Sequence, residues 1–111
     1  MAVLTTYTID YDGVDVAAAY AAAAASQEFV NDGHTFIHIK NASGAPITAT
    51  LTTAGTVQGH AIADTIVTVG ATTGEQMAGP FDRSLYNAAD GNIDITWSAT
   101  SSVTIGVFKL P

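Results

Sequence analysis

Several groups of side chains in this sequence have types and spacings that could support chemistry. Asp10, Asp12 and Asp15 stand around Gly13. Calcium requires several oxygen ligands on a tight loop, and D-x-D-G-x-D supplies carboxylates beside a permissive glycine. The order is not that of an EF-hand and no bidentate Glu closes the loop, so the stretch reads as a solvated acidic turn, with calcium as the alternative. Asp32, His34 and His38 supply two imidazoles and a carboxylate, a zinc-type ligand set. If residues 34–40 are extended, His34, Phe36, His38 and Lys40 share one face. Alternate strand positions are roughly 6.5–7 Å apart, so the two histidines lie about twice that distance from each other, too far for one ion. The expectation is a plain sheet face, with no metal and no cofactor. Serine and threonine are plentiful, but no G-x-S-x-G elbow occurs and nothing in the spacing of the histidines marks a triad, so no catalytic residue is expected. Finally, Tyr7, Tyr11, Tyr20 and Tyr86 lie in or near the less regular segments. Tyrosine combines apolar area with a hydroxyl and is enriched at interfaces, so these four are read as partner-binding residues, against the plainer reading of lids over the core edges.

The elements that must position these groups are mostly strands. Thr35–Lys40 and Ile47–Thr52 read as a strand pair about the Asn41–Pro46 turn, the first aromatic and β-branched, the second alternating apolar and hydroxyl residues. Asn31-Asp32-Gly33 is a turn signal. Residues 54–64 form a long polar connection, with a short strand at Thr56-Val57, and suit a crossover between sheets. Thr65–Val69 is a strand, and Glu75–Phe81 is another that ends at Gly79-Pro80. Asp82–Tyr86 forms one turn of helix or a tight loop. Asp90-Gly91 is a hairpin signal. Ile93–Ser98 alternates with Ile93, Ile95 and Trp97 facing in, and Val103–Leu110 puts Val103, Ile105 and Val107 on one face. The short turn at 99–102 predicts that these last two strands form an antiparallel hairpin.

Residues 1–28 differ in composition. Val3–Tyr11 fits a strand, and Val16–Ala25 is dominated by alanine, with Asp15 as a candidate N-cap. That run carries no large apolar stripe, and short isolated helices are marginal in water. It is either a short helix or an extended arm lying on its own sheet or on a neighbouring subunit. The expected organisation is an N-terminal arm, 1–28, followed by a β domain, 29–111. The fold class is all-β, an antiparallel β-sandwich of jelly-roll or Ig-like Greek-key type with a less regular arm.

Length and charge narrow the function. A chain of 111 residues holds one domain. There is no cysteine, which excludes disulfides and thiolate metal sites. Three basic residues against ten acidic ones give a formal charge of −7, which argues against nucleic acid and anionic membranes and favours solubility or a basic partner. The start, MAVLTTYTID, lacks the pattern of a secretory leader, and Ala17–Ala25 is too short to span a bilayer.

The order of motifs adds a further indication. F-V-N-D-G-H-T-F-I-H-I-K-N at 29–41 is followed by G-A-P-I-T-A-T-L, then A-D-T-I-V-T-V at 63–69 and A-G-P-F at 78–81. L-Y-N and D-G-N-I-D-I-T-W-S follow within 85–98, and V-T-I-G-V-F-K-L closes the run. Over residues 29–110 this resembles small proteins encoded in the structural gene modules of tailed bacteriophages and prophages, some of them similar to capsid decoration (cement) proteins. The acidic turn and alanine run lie outside the pattern. The resemblance implies a non-enzymatic virion component, made in the host cytoplasm and placed on the capsid exterior. It would bind the major capsid protein, stabilise the shell and act as a homo-oligomer, with a trimer at local three-fold positions as one form. The alternative is a β-sandwich binding module on a phage tail, fibre or cell surface that recognises glycan or host protein.

Overall fold

In a computed structural model, residues 2–88 and 91–110 are described. The chain forms an all-β sandwich. The strands are β1 (Ala2–Val3), β2 (Thr6–Thr8), β3 (Ala21–Ala22), β4 (Ser26–Val30), β5 (Thr35–Asn41), β6 (Ile47–Leu51), β7 (Thr56–Val57), β8 (His60–Ala61), β9 (Thr65–Val69), β10 (Gly74–Ala78), β11 (Asn92–Trp97) and β12 (Val103–Lys109). Two single turns of helix, α1 (Val16–Ala19) and α2 (Arg83–Tyr86), complete the set. One sheet has the order β1-β4-β11-β6-β9, and the other has β10-β5-β12-β2 with β3 also on β12. No helix among the described residues is long and apolar enough to cross a membrane.

The pairing is nested. β4 pairs with β11, β5 with β10, β6 with β9 and β7 with β8, all antiparallel. Residues 26–97 are thus one long hairpin whose tip is the β7–β8 ribbon, rolled so that successive pairs fall in alternate sheets. This is the connectivity of a jelly roll. β12 then adds to the free side of β5.

The inward positions follow the period-2 alternation expected of strands with one buried face. Ile37 and Ile39 of β5, Ile47, Ala49 and Leu51 of β6, Ile93 and Ile95 of β11, and Val103, Ile105 and Val107 of β12 are all buried, with Phe29 and Phe81 among them. Each large side chain so buried contributes roughly 1.5–3 kcal/mol. Trp97 keeps the inward phase but is half-buried, packed against the core, and its indole N–H donates to Gln27 Oε1 at 3.0 Å.

Several pairings differ from the sequence reading. β5 and β6 are not a strand pair, because they lie in opposite sheets. The same holds for β11 and β12, so the predicted C-terminal hairpin is an arch between sheets. Conversely, the 52–64 connection does not cross over: it joins β6 and β9, which are neighbours in one sheet, and folds into its own ribbon. Inward alternation is the same whether a turn folds back within a sheet or arches across to the other, which is why the pattern did not separate them. Asp90 lies outside the described residues; β10 and β11, which flank its turn, belong to different sheets.

The expected strand Val3–Tyr11 is split. β1 joins one sheet and β2 the other, with buried Leu4 at the switch and its N–H donating to Glu28 O at 2.7 Å. Both short strands run parallel to their neighbours, the exceptions in otherwise antiparallel sheets. The alanine-rich stretch adopts both expected forms in succession: one helical turn at α1, then extended chain at β3 against β12. Asp15 occupies the N-cap position without a side-chain cap bond.

Each arch between sheets leaves backbone polar groups with no ladder partner, and buried asparagines supply partners. Asn41, 1% exposed, donates from Nδ2 to Ala45 O at 2.9 Å and Gly70 O at 3.0 Å, and its Oδ1 accepts from Ser43 N at 3.0 Å. It therefore ties the 42–46 arch to the 70–73 arch. Removing that side chain breaks these bonds and the buried contact with Val69 O, which costs about 1–3 kcal/mol. Asn41→Ala is expected to lower unfolding stability by about 2–3 kcal/mol, seen as a lower urea midpoint at unchanged slope. A loss under about 0.5 kcal/mol, typical of an ordinary surface change, would show that water replaces the amide.

Candidate functional site

The outer face of the β10-β5-β12-β2 sheet carries the groups of most chemical interest. The registers Met77↔His38 and Gly106↔His38 place Met77, His38 and Gly106 in one row across three strands. Phe108 lies opposite Phe36 and beside Tyr7 in the next row, and Glu75, Lys40 and Thr104 form the row on the other side. The N-terminal segment runs over this face and lowers the Tyr20 ring onto it. Gly106 makes the approach possible, since a Cβ there would lie 3.0 Å from Tyr20 Cε1 and 2.8 Å from Phe108 Cε2. Tyr20 meets Phe108 edge-on at 6.1 Å between centroids, and Phe108 stacks on Phe36 at 5.7 Å.

A polar chain crosses this apolar floor. The Tyr20 hydroxyl is hydrogen-bonded to His38 Nδ1, and His38 Nε2 lies 3.0 Å from Glu75 Oε1. A carboxylate only accepts, so Nε2 carries a proton; in the neutral ring Nδ1 then accepts from the Tyr20 O–H. Lys40 Nζ sits 4.3 Å from the Tyr20 ring centroid, a cation–π contact that helps hold the ring. Burial, and secondarily the negative charge of Glu75, push the Tyr20 phenol above its ordinary value. Tyr20 is thus docked through its hydroxyl on His38 and through its ring on Phe108 and Lys40.

Beside this chain an apolar groove of about 330 Å³ is lined by Ile9, Val14, Val16, Phe36 and Met77 among others. A second cavity of about 380 Å³ shares Phe36 and Met77 and reaches Leu110. Met77 is 63% and Leu110 52% exposed. The sequence reading missed this groove because it depends on β10 and the N-terminal segment flanking β5. The signal that was available is Gly106 inside an otherwise β-branched strand, a mark of close approach.

The residues singled out from sequence are dispersed. Asp10, Asp12 and Asp15 are exposed, and Asp10 Oδ1 accepts from Asp12 N at 3.1 Å. The Asp32–His34–His38 set is divided. Asp32 accepts from His34 N at 2.9 Å and from Thr35 Oγ1 at 3.1 Å, and pairs with Lys109 at 3.5 Å, while His38 belongs to the Tyr20 chain. These bonds, the His34 N–H first, hold the Asp32 carboxyl below its ordinary value. Among the described residues no three His, Asp or Glu side chains are grouped as metal ligands. Of the tyrosines, Tyr7 and Tyr20 share the outer face of one sheet, Tyr11 is fully exposed in the acidic turn, and Tyr86 is half-buried at the core edge, bonded to Thr65 Oγ1 at 2.7 Å and packed on Phe81. They do not form one patch.

No family model, curated protein or solved structure matches the chain.

The Tyr20 contact makes a pH prediction. A phenol raised in the folded state above its unfolded value of 10.0 contributes stability that is fully present below about pH 10 and is lost as pH rises through the folded value. Between pH 8 and 11 the wild-type urea midpoint is expected to fall more steeply than that of Tyr20→Phe. Parallel curves would show that Tyr20 is not held as described.

Proposed function

We propose that this protein is a non-enzymatic virion structural protein, a capsid decoration protein that binds the major capsid protein and stabilises its shell. The observation that carries the reading is the open apolar groove beside Met77. It lies on an all-β sandwich in which Asp10, Asp12, Asp15 and Asp32 do not line it, while the polar chain Tyr20–His38–Glu75 at its side holds the N-terminal segment on the sheet. Jelly rolls recur in viral capsid and lectin domains, which agrees with the reading at the level of fold alone. The order of motifs across residues 29–110 points the same way.

The groove also suits the chemistry of docking. Its apolar lining residues Ile9, Val14 and Val16 neighbour exposed Asp10, Asp12 and Asp15 along the chain, and Glu75 pairs with His38, which also lines it. The fitting partner surface is apolar with basic residues at its margin, in keeping with a chain of charge −7. The outer end of Met77 is then a central contact.

A second reading, a glycan- or host-protein-binding module of a tail, fibre or cell surface, draws on the same aromatic floor. It is the weaker of the two, because Phe108 lies buried under Tyr20 and leaves little open ring face for a sugar.

The test is cosedimentation with emptied shells of the phage that encodes the chain, followed by electron microscopy of the decorated particle. Wild-type protein is expected to saturate the shells, and Met77→Glu, at an exposed position, to bind at least about tenfold more weakly, the scale of one lost interface contact of roughly 1.4 kcal/mol. Absence of wild-type binding would overturn the capsid reading. Equal binding by Met77→Glu would move the contact away from the groove. Deleting residues 2–25 is not a clean alternative, because it removes β1, β2 and β3 from the sheets.

A further inference from the structure

We infer that β9 is the pairing strand of a two-fold homodimer, in which the β1-β4-β11-β6-β9 sheets of two copies join edge to edge. This goes beyond the virion reading and does not depend on it. The two sheets have four outer edges. β1 has two residues and β2 three, too short to template a partner. β10 carries the charge of Glu75 and runs into Gly79-Pro80. β9, Thr65-Ile66-Val67-Thr68-Val69, has five residues with no charge, glycine or proline, and all are β-branched. It shows none of the devices by which exposed edges are usually protected. Among the described residues no strand pairs with its outer side.

The backbone directions can be worked out. Thr48 O accepts from Ser98 N at 2.9 Å and Thr48 N donates to Ser98 Oγ at 2.8 Å, so the Thr48 backbone faces the β11 side. The alternate residues Ile47, Ala49 and Leu51 therefore face β9. Their partners Val69, Val67 and Thr65 face back, which leaves the N–H and C=O groups of Ile66 and Thr68 pointing off the sheet edge.

These groups are self-complementary. With the two-fold axis at Val67, Ile66 of each copy lies opposite Thr68 of the other, and each such pair exchanges both N–H···O bonds, as directly opposed antiparallel residues do. The side chains of Ile66, 63% exposed, and Thr68 then cover one another on the outer face. Continued outward, the register sets Asp64 opposite Gly70, where a carboxylate meets no side chain. Two chains of charge −7 thus approach along a strand with no charge of its own.

The measurement is sedimentation velocity over a concentration series, with circular dichroism to confirm that each variant is folded. Wild type is expected to sediment as a dimer of the 11.3 kDa chain. Ile66→Lys and Thr68→Pro should each raise the dimer dissociation constant at least about tenfold. The Thr68 N–H points outward, so proline there removes only an edge donor. Because the chain lacks cysteine, the double variant Ile66→Cys/Thr68→Cys should form an intermolecular disulfide on mild oxidation: opposed residues of this kind have Cα atoms about 5.5 Å apart, within disulfide range. A wild-type monomer at about 100 µM, a trimer, or a dimer unaffected by Ile66→Lys would overturn the proposal; the two-fold register leaves no free β9 to admit a third copy.

Discussion

The fold depends on satisfying the backbone where the chain passes from one sheet to the other. From β4 to β12 it does so at every connection except the one between β6 and β9. An arch through the end of a sandwich is a poor place for unpaired N–H and C=O groups, since it is half-buried and has no neighbouring strand. Two asparagine clusters answer this, one at each end of β5. Asn41 serves the 42–46 and 70–73 arches, and Ala42 N donates to Ser102 O at 2.9 Å, which brings the 99–102 arch to the same end. At the opposite end Asn31 donates to Phe81 O at 3.2 Å and to Asn87 Oδ1 at 2.7 Å, and Asn87 returns a bond to Asn31 O at 2.9 Å. Asn31 and Asn41 are 3% and 1% exposed, so each arch is tied through a side chain that is itself buried.

This explains which parts of the fold were legible beforehand. The inward sets Ile37/Ile39, Ile47/Ala49/Leu51, Ile93/Ile95 and Val103/Ile105/Val107 could be read because alternation is local and has a fixed period. The partner of each strand could not. Asn31 and Asn41 look like ordinary turn formers in sequence, and a four-residue turn such as 99–102 serves a hairpin and an arch equally well. What separates the two is whether a distant residue, Gly70 for Asn41 or Phe81 for Asn31, takes the freed bonds. That information lies tens of residues away along the chain.

The outer face follows the same division. The tyrosines were recognisable as interface-type residues, but Tyr20 acquires its place only because β12 offers a glycine opposite His38 and because β10 brings Glu75 to the far side of the ring. The histidine earlier read as plain surface is thereby the centre of a hydrogen-bonded chain. The residues with metal-like spacing went elsewhere: Asp32 turned back to its own loop, where nearby N–H and O–H donors satisfy it. Spacing along one strand shows which side chains share a face. It does not show which other strands will bring partners to that face.

The nested pairing also accounts for where the molecule is open. Pairs β4·β11, β5·β10 and β6·β9 fall in alternate sheets, so continued alternation would place β7·β8 beside β10 in the second sheet. Instead the ribbon stands apart as a small sheet of its own, and Gly55 packs so closely on α2 that a Cβ there would lie 2.1 Å from Ser84 O. The second sheet therefore ends at β10 on that side and is extended on the other by β12, β2 and β3. The N-terminal segment docks from the β12 side, and the groove lies between it and the exposed Met77 of β10. The first sheet is unaffected by this displacement and keeps β9 as its outermost strand. One departure of the β7–β8 ribbon from the alternation thus shapes the groove face, and the regular part of the roll leaves β9 bare.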